Sequence, residues 1–90
     1  MTMANPVDFY IQGIVEYLKG SVLLDPSEQI PLDRSLLEAG ILDSYGIVDL
    51  LTFIEREFGL AIPDGDVTKE NMGSIRKMAQ YISARRKVAA

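Results

Sequence analysis

The pair Asp43-Ser44 supplies a carboxyl and a hydroxyl group at the start of a predicted helix. Asp and Ser are both favoured N-cap residues, and the helix they open is predicted to run from about Ser44 to Phe58, just before Gly59. A side chain at a helix start is exposed beside free backbone N–H groups and the positive end of the helix dipole, which favour a phosphate group. The position of Ser44 therefore suits a hydroxyl that receives a phosphate.

The absence of histidine and cysteine limits what Ser44 can do unaided. An enzyme that used Ser44 as its nucleophile would need a lysine or a carboxylate in place of the usual histidine base, and both are poor substitutes. Without cysteine the chain has no disulfide, no thiolate nucleophile and no thiolate metal ligand. We therefore expect no catalytic residue, no metal site and no enzymatic activity from this chain.

The periodicity of the apolar residues predicts helices and no strand. The first helix is expected to open at Pro6, the last to start after Asn71 or Ser74, and short helical pieces are expected near residues 35–39 and 67–70. The stripes on the three long helices consist of Val7, Ile11, Ile14 and Leu18, of Ile47, Leu51, Ile54 and Phe58, which Val48 and Leu50 widen, and of Ile75, Met78, Ala79 and Ile82. The predicted fold is all-α, a small four-helix bundle with three main helices and a short third helix.

A chain of 90 residues is long enough for one domain. We expect that domain to span residues 1–90, with its core at about 5–86 and a basic C-terminal tail at 85–90. No apolar run approaches the roughly 20 residues that a membrane-spanning helix needs. The N-terminus also lacks the basic start and the apolar stretch of a signal peptide. We therefore expect a cytoplasmic monomer without a membrane span.

The net charge of −4 is unevenly distributed along the chain. Ten acidic residues and only two arginines lie between Ser21 and Thr68, whereas five of the nine basic residues lie between Arg76 and Lys87. An acidic body disfavours nucleic acid as a ligand and favours partners with basic docking faces. The alternative is that the acids only keep a small domain in solution, while the basic residues complement a helix C-terminus.

Three motifs around the predicted second helix carry a resemblance to a known family. Gly40-Ile41-Leu42-Asp43-Ser44 leads into the helix, Glu55-Arg56-Glu57-Phe58 closes it, and Ile62-Pro63 follows a few residues later. With this spacing and chain length, the sequence closely resembles acyl and peptidyl carrier proteins over roughly residues 5–86. The resemblance implies a bundle of the acyl-carrier type that bears a 4′-phosphopantetheine arm.

The same resemblance implies roles for individual residues. Ser44 is the attachment point, onto which a phosphopantetheinyl transferase moves 4′-phosphopantetheine from coenzyme A. Asp43 caps the helix and helps the transferase to recognise the site. The second helix is a docking face for partner enzymes, with the acids Asp49 and Glu55 and an apolar collar of Ile41, Leu42, Tyr45 and Val48. The alternative for each acid is an ordinary solvated face, and for Tyr45 it is a packed core side chain.

The sequence differs from the fatty-acid members of the family at positions that bear on which cargo is carried. Gly46 stands where an acid is common, Arg56 interrupts an acidic run, and Gly-Ile-Leu-Asp-Ser resembles stand-alone D-alanyl and other amino-acid carriers. We therefore expect thioester-bound amino acids or specialised acyl groups rather than bulk fatty acids. An acyl- or aminoacyl-activating ligase would supply them and a downstream transferase would accept them. The alternative function is an unmodified acidic helical adaptor that binds partner proteins through helix 44–58.

Overall fold

The computed structural model describes residues 6–21 and 29–89, and these two ranges contain helices but no strand. The helices are α1 (Pro6–Ser21), α2 (Ser44–Phe58), α3 (Lys69–Met72) and α4 (Ile75–Ala89), with a 3₁₀ turn at Asp64–Asp66 before α3. The predicted all-α bundle, with three long helices and a short third one, is confirmed. The predicted domain limits at residues 1 and 90 lie outside the described residues and stay a prediction. No helix within those ranges is both long and apolar enough to cross a bilayer.

Apolar side chains from the three long helices meet in one core. The core residues of these helices are Ile11, Ile14 and Leu18 of α1, Leu50, Ile54 and Phe58 of α2, and Ile75, Met78, Ala79 and Ile82 of α4. The stripe predicted for α2 is corrected in part, because Leu50 is fully buried while Ile47 and Leu51 are only half-buried. Apolar residues surround much of α2, so the packing of α1 and α4 decides which of them point inward.

The connection that leads into α2 is ordered by its own backbone. The helical turn predicted at residues 35–39 is confirmed by a hydrogen bond of 2.9 Å from the Ala39 N–H to the Ser35 carbonyl. Gly40 ends the turn with a φ of 75°, in the left-handed region that favours glycine. The Ile41 N–H then donates to the buried Leu36 carbonyl at 3.0 Å. The chain therefore enters α2 from a turn that backbone hydrogen bonds close.

Arg76 joins this connection to the start of α4. Its backbone N–H donates to the Leu32 carbonyl at 2.9 Å, and its Nε donates to Asp33 Oδ1 at 2.7 Å. Both side chains of the ion pair are substantially exposed, so the pair itself adds little to stability. The backbone bond, by contrast, holds the connection against the bundle.

Aromatic side chains lie between α1 and α2 and contact one another. The Phe58 ring lies against the backbone of Gly13, where a Cβ atom would come within 2.8 Å of Phe58 Cζ. This close approach explains why a glycine occupies the middle of α1, despite a cost of up to about 1 kcal/mol relative to alanine. Tyr17 stacks on Phe53 with ring centroids 4.3 Å apart. These contacts bring the C-terminal half of α2 against α1.

The basic residues near the C-terminus contact the end of α2. Arg86 Nη1 donates to the Gly59 carbonyl at 3.5 Å, and Arg85 Nη2 donates to the Ala61 carbonyl at 3.1 Å. Residues 85–89 of the predicted basic tail belong to α4, which continues through Ala89. Arg86 complements the C-terminal end of α2 rather than that of its own helix, whereas Arg85 contacts the turn that follows α2.

Tyr81 on α4 holds the turn that precedes α3. Its hydroxyl donates to Asp66 Oδ2 at 2.6 Å, and Arg85 lies 3.7 Å from the same carboxylate oxygen. Burial, reinforced by the hydrogen bond to Asp66, raises the pKa of Tyr81 to about 12. Because this pKa is raised above the ordinary value of 10.0, the neutral phenol contributes stability below about pH 10. That contribution is lost as the pH rises through about 12.

We expect Tyr81 of the folded protein to ionise in a late step of an alkaline titration followed by tyrosinate absorbance. This late step has an apparent pKa of about 12. Tyr81→Phe should remove this step alone. A late step that persists in Tyr81→Phe would contradict the assignment.

Candidate functional site

Asp43 is the N-cap of α2. Its Oδ1 accepts a hydrogen bond from the Gly46 N–H at 2.8 Å, and its carbonyl accepts one from the Ile47 N–H at 3.0 Å. Its backbone is extended, with a φ of −94° and a ψ of −175°, as expected for a residue just outside a helix. The predicted start of the helix at Ser44 is confirmed, and Asp43 rather than Ser44 provides the cap.

Ser44 is the first residue of α2 and is exposed. The N–H groups of a first helical turn have no acceptor within the helix, and Asp43 takes the one from Gly46. The N–H groups of Ser44 and Tyr45 are therefore oriented to meet an anion at the helix start. The Asp43 carboxylate at the N-cap offsets part of the positive end of the helix dipole, and no further acidic residue lies within the first turn of α2. The arrangement fits a phosphate ester on the Ser44 hydroxyl.

Two of the four residues of the predicted apolar collar lie on the surface beside Ser44. Tyr45 is 81% exposed and Val48 is 60% exposed. The alternative of a packed core position for Tyr45 is therefore wrong. Ile41 is half-buried. The structure brings Ser44, Tyr45 and Val48 together on the exposed side of the N-terminal half of α2.

Leu42 belongs to the core rather than to the docking surface, which corrects its predicted place. It packs under the first turn of α2, where a Cβ atom on Gly46 would come within 2.9 Å of Leu42 Cδ2. A side chain at position 46 would therefore require Leu42 to shift. Leu42 thus supports the helix start from below while Asp43 caps it.

The two acids predicted for docking have different environments. Asp49 is exposed on α2. Glu55 is half-buried, and its Oε2 accepts a hydrogen bond of 2.8 Å from the Ile62 N–H. This bond ties the turn after α2 back to the helix, so Glu55 has a structural contact that the docking interpretation did not include. The structure therefore does not place Asp49 and Glu55 in equivalent environments on one docking surface.

Two exposed apolar residues near this surface were missed by the sequence reasoning. Val67 lines a cleft with Ile47 and Leu37, and it also lines a second cleft with Val48. Both Leu37 and Val67 are exposed. They lie in segments predicted as short helical pieces, which are too short for apolar periodicity to define a face, so no pattern in the sequence could have placed them beside α2.

The comparisons with known proteins cover all of the elements that form this site. The chain matches the family described as phosphopantetheine attachment site over residues 12–82. D-alanyl carrier proteins of Streptococcus pyogenes serotype M5 (strain Manfredo) and serotype M49 (strain NZ131) are each 28% identical over 71 residues, which is 79% of this chain and 87% of theirs. A chain in a crystal structure of an FAD-dependent dehydrogenase superposes with a TM-score of 0.65 at 28% identity. That similarity covers 77% of this chain and 97% of the other.

Proposed function

The chain belongs to the phosphopantetheine attachment site family of carrier proteins, and we propose that Ser44 is the residue that receives its 4′-phosphopantetheine group. The cofactor is covalent, and the carrier is not itself an enzyme. The observation that supports Ser44 is its exposed hydroxyl at a helix start that Asp43 caps. The first-turn N–H groups favour the phosphate of the product over the free hydroxyl.

The attachment step requires a partner enzyme. The Ser44 oxygen attacks the phosphorus of coenzyme A that bears the pantetheine group, forming the Ser44 O–P bond and breaking the pyrophosphate bond. Adenosine 3′,5′-bisphosphate leaves, and the serine proton passes to a base of the transferase, because this chain has no histidine to accept it. Once attached, the group supplies a terminal thiol on which cargo is held as a thioester. This chain has no cysteine to compete with that thiol.

The partner enzymes are proposed to dock on the surface beside Ser44. Tyr45 and Val48 provide exposed apolar area, and Asp49 provides a negative charge on the same helix. The proposed partners are a phosphopantetheinyl transferase, an acyl- or aminoacyl-activating ligase and a downstream transferase. Leu42 and Glu55 are left out of this surface, because the first is buried and the second bonds to Ile62.

The proposed cargo is an amino acid. The similarity to D-alanyl carrier proteins supports this class of cargo. The similarity to a chain in the structure of an FAD-dependent dehydrogenase supports a second kind of downstream partner, a flavin enzyme. Such an enzyme would oxidise the carrier-bound cargo while its own flavin is reduced.

The test of the proposed function is the intact mass of the full chain before and after incubation with coenzyme A, magnesium and a phosphopantetheinyl transferase of broad specificity. We expect a gain of one phosphopantetheinyl group, located on Ser44 by fragmentation of the product. A folded chain that gains no mass with several different transferases would overturn the proposal. The unmodified adaptor that binds through helix 44–58 would then be the better description.

Two variants separate the role of Asp43 as a helix cap from the role of its negative charge. Asparagine caps a helix about as well as aspartate, so Asp43→Asn should leave the free energy of unfolding nearly unchanged, whereas Asp43→Ala should lower it by about 1 kcal/mol. If the transferase reads the negative charge, both variants should slow phosphopantetheine transfer by about tenfold, which is about 1.4 kcal/mol in activation free energy. Transfer to Asp43→Asn at the wild-type rate would show that Asp43 acts only as a cap.

A further inference from the structure

An open cleft of about 570 Å³ lies between α1 and the C-terminal half of α2. We call it the aromatic cleft, and its residues relevant here are Phe9, Tyr17, Phe53, Phe58, Glu16 and Glu57. Phe9 is 63% exposed, which is the largest exposed fraction of any phenylalanine among the described residues. A single exposed apolar side chain is ordinary. Here, however, Phe9 continues a group of rings that are only partly covered.

The rings of the aromatic cleft are held in fixed positions by each other. Tyr17 stacks on Phe53 with an interplanar angle of 22°, and Phe9 lies edge-on to Phe58 with ring centroids 6.2 Å apart. Phe58 itself is buried against Gly13 and cannot easily turn away. A ligand would therefore meet a preorganised set of ring faces and edges.

The charged residues that line the aromatic cleft, Glu16 and Glu57, are both acidic. Both are exposed, one on α1 and the other on α2. Gln12 donates a hydrogen bond to Glu16 Oε2 at 3.1 Å, which orients that carboxylate. A cation placed over the rings would lie close to two negative charges and to the negative faces of the aromatic rings.

We infer that the aromatic cleft binds the side chain of an arginine presented by a partner protein. A guanidinium group stacks on aromatic faces and forms directed hydrogen bonds to carboxylates, and it is desolvated more readily than the ammonium group of lysine. Arg76, Arg85 and Arg86 of this chain already donate to acceptors within the described residues. The net charge of −4 also disfavours the association of two copies of this chain, so the charge favours an arginine from a different protein.

The aromatic cleft is well separated from Ser44. Phe53 and Glu57 lie nine and thirteen residues further along α2, which corresponds to about 14 and 20 Å at the helical rise. A partner anchored at the cleft would leave the Ser44 hydroxyl, and any group attached to it, accessible. This consequence rests on the proposed function, whereas the binding of arginine does not.

The direct test is a titration of the full chain with Nα-acetyl-arginine amide, followed by the NMR signals of the aromatic side chains. The neutral isostere Nα-acetyl-citrulline amide is the matched control ligand. We expect saturable shifts of the Phe9, Tyr17 and Phe53 signals with arginine, and binding at least about tenfold weaker with citrulline. Equal binding of the two ligands, or shifts confined to other residues, would overturn the inference.

Variants locate the binding independently of the ligand comparison. Phe9→Ala and Glu57→Gln should each weaken arginine binding by about three- to tenfold, while Arg56→Gln, next to Glu57 but outside the aromatic cleft, should not weaken it. Both Phe9 and Glu57 are exposed, so the fold should survive. Self-association that depends on Phe9 would also overturn the inference, because the cleft would then be an interface between copies.

Phosphopantetheine transfer to the same variants separates the two proposals. We expect Phe9→Ala and Glu57→Gln to be modified on Ser44 at the wild-type rate. Arginine binding without any modification of Ser44 would refute the proposed function and leave the inference about the cleft unaffected. Normal modification without arginine binding would refute only the inference about the cleft.

Discussion

Ser44→Ala is expected to abolish the gain of a phosphopantetheinyl group completely. The reason is chemical, because alanine has no side-chain oxygen to form the bond to phosphorus. Intact mass after incubation with coenzyme A, magnesium and transferase measures the effect. Residual modification at the wild-type level would place the attachment site on another residue.

The fold of Ser44→Ala should be unaffected, which makes the loss of modification interpretable. Asp43 provides the cap of α2 and is unchanged in this variant, so the free energy of unfolding should stay within about 0.5 kcal/mol of the wild type. Ser83→Ala, on the half-buried side of α4, is the matched serine control. It should be modified as fully as the wild type. A loss of modification in Ser83→Ala would indicate a general effect of the substitution.

Leu50→Ala is expected to lower the free energy of unfolding by about 2 to 5 kcal/mol. Leu50 is 0% exposed and belongs to the core between α2 and the other long helices. The loss combines the removed apolar contact with the cavity that remains, and it is large compared with the total stability of about 5 to 15 kcal/mol that is usual for a domain. Chemical denaturation followed by circular dichroism measures the difference.

Val48→Ala on the same helix is the matched control for Leu50→Ala. Val48 is 60% exposed, so its truncation should change the free energy of unfolding by no more than about 0.5 kcal/mol. The same variant should raise the KM of a partner enzyme for the carrier, because Val48 belongs to the proposed docking surface. Equal destabilisation by the two substitutions would contradict the position of Leu50 in the core.

The start of α2 could be predicted from residues that are close together in the chain. Asp43 and Ser44 were predicted at a helix start from residue type alone, and the hydrogen bond from Gly46 to Asp43 spans only three residues. The turn that ends at Gly40 was predicted in the same way, since its hydrogen bonds also join neighbouring residues. Interactions between residues close in the chain leave a signature in contiguous sequence.

The surroundings of the predicted docking residues could not be predicted from neighbouring residues. The type of Leu42 allowed either a collar beside Ser44 or a place in the core, and the packing against α2 placed it in the core. The family resemblance implies a docking role for Glu55, yet its carboxylate accepts a hydrogen bond from the Ile62 N–H seven residues later. Neither outcome follows from periodicity, because each depends on how a connection folds back onto a helix.

Helix caps, apolar periodicity and the absence of histidine and cysteine are properties of the chain alone, and they were enough to predict the helices, the exposed hydroxyl at Ser44 and the need for a partner enzyme. The packing of the helices, by contrast, brings Arg86 to the end of α2 at Gly59, 27 residues away, and forms the aromatic cleft from rings of α1 and α2. Such contacts join residues far apart in the chain. Their partners are set by the packing of whole helices, which no local pattern encodes.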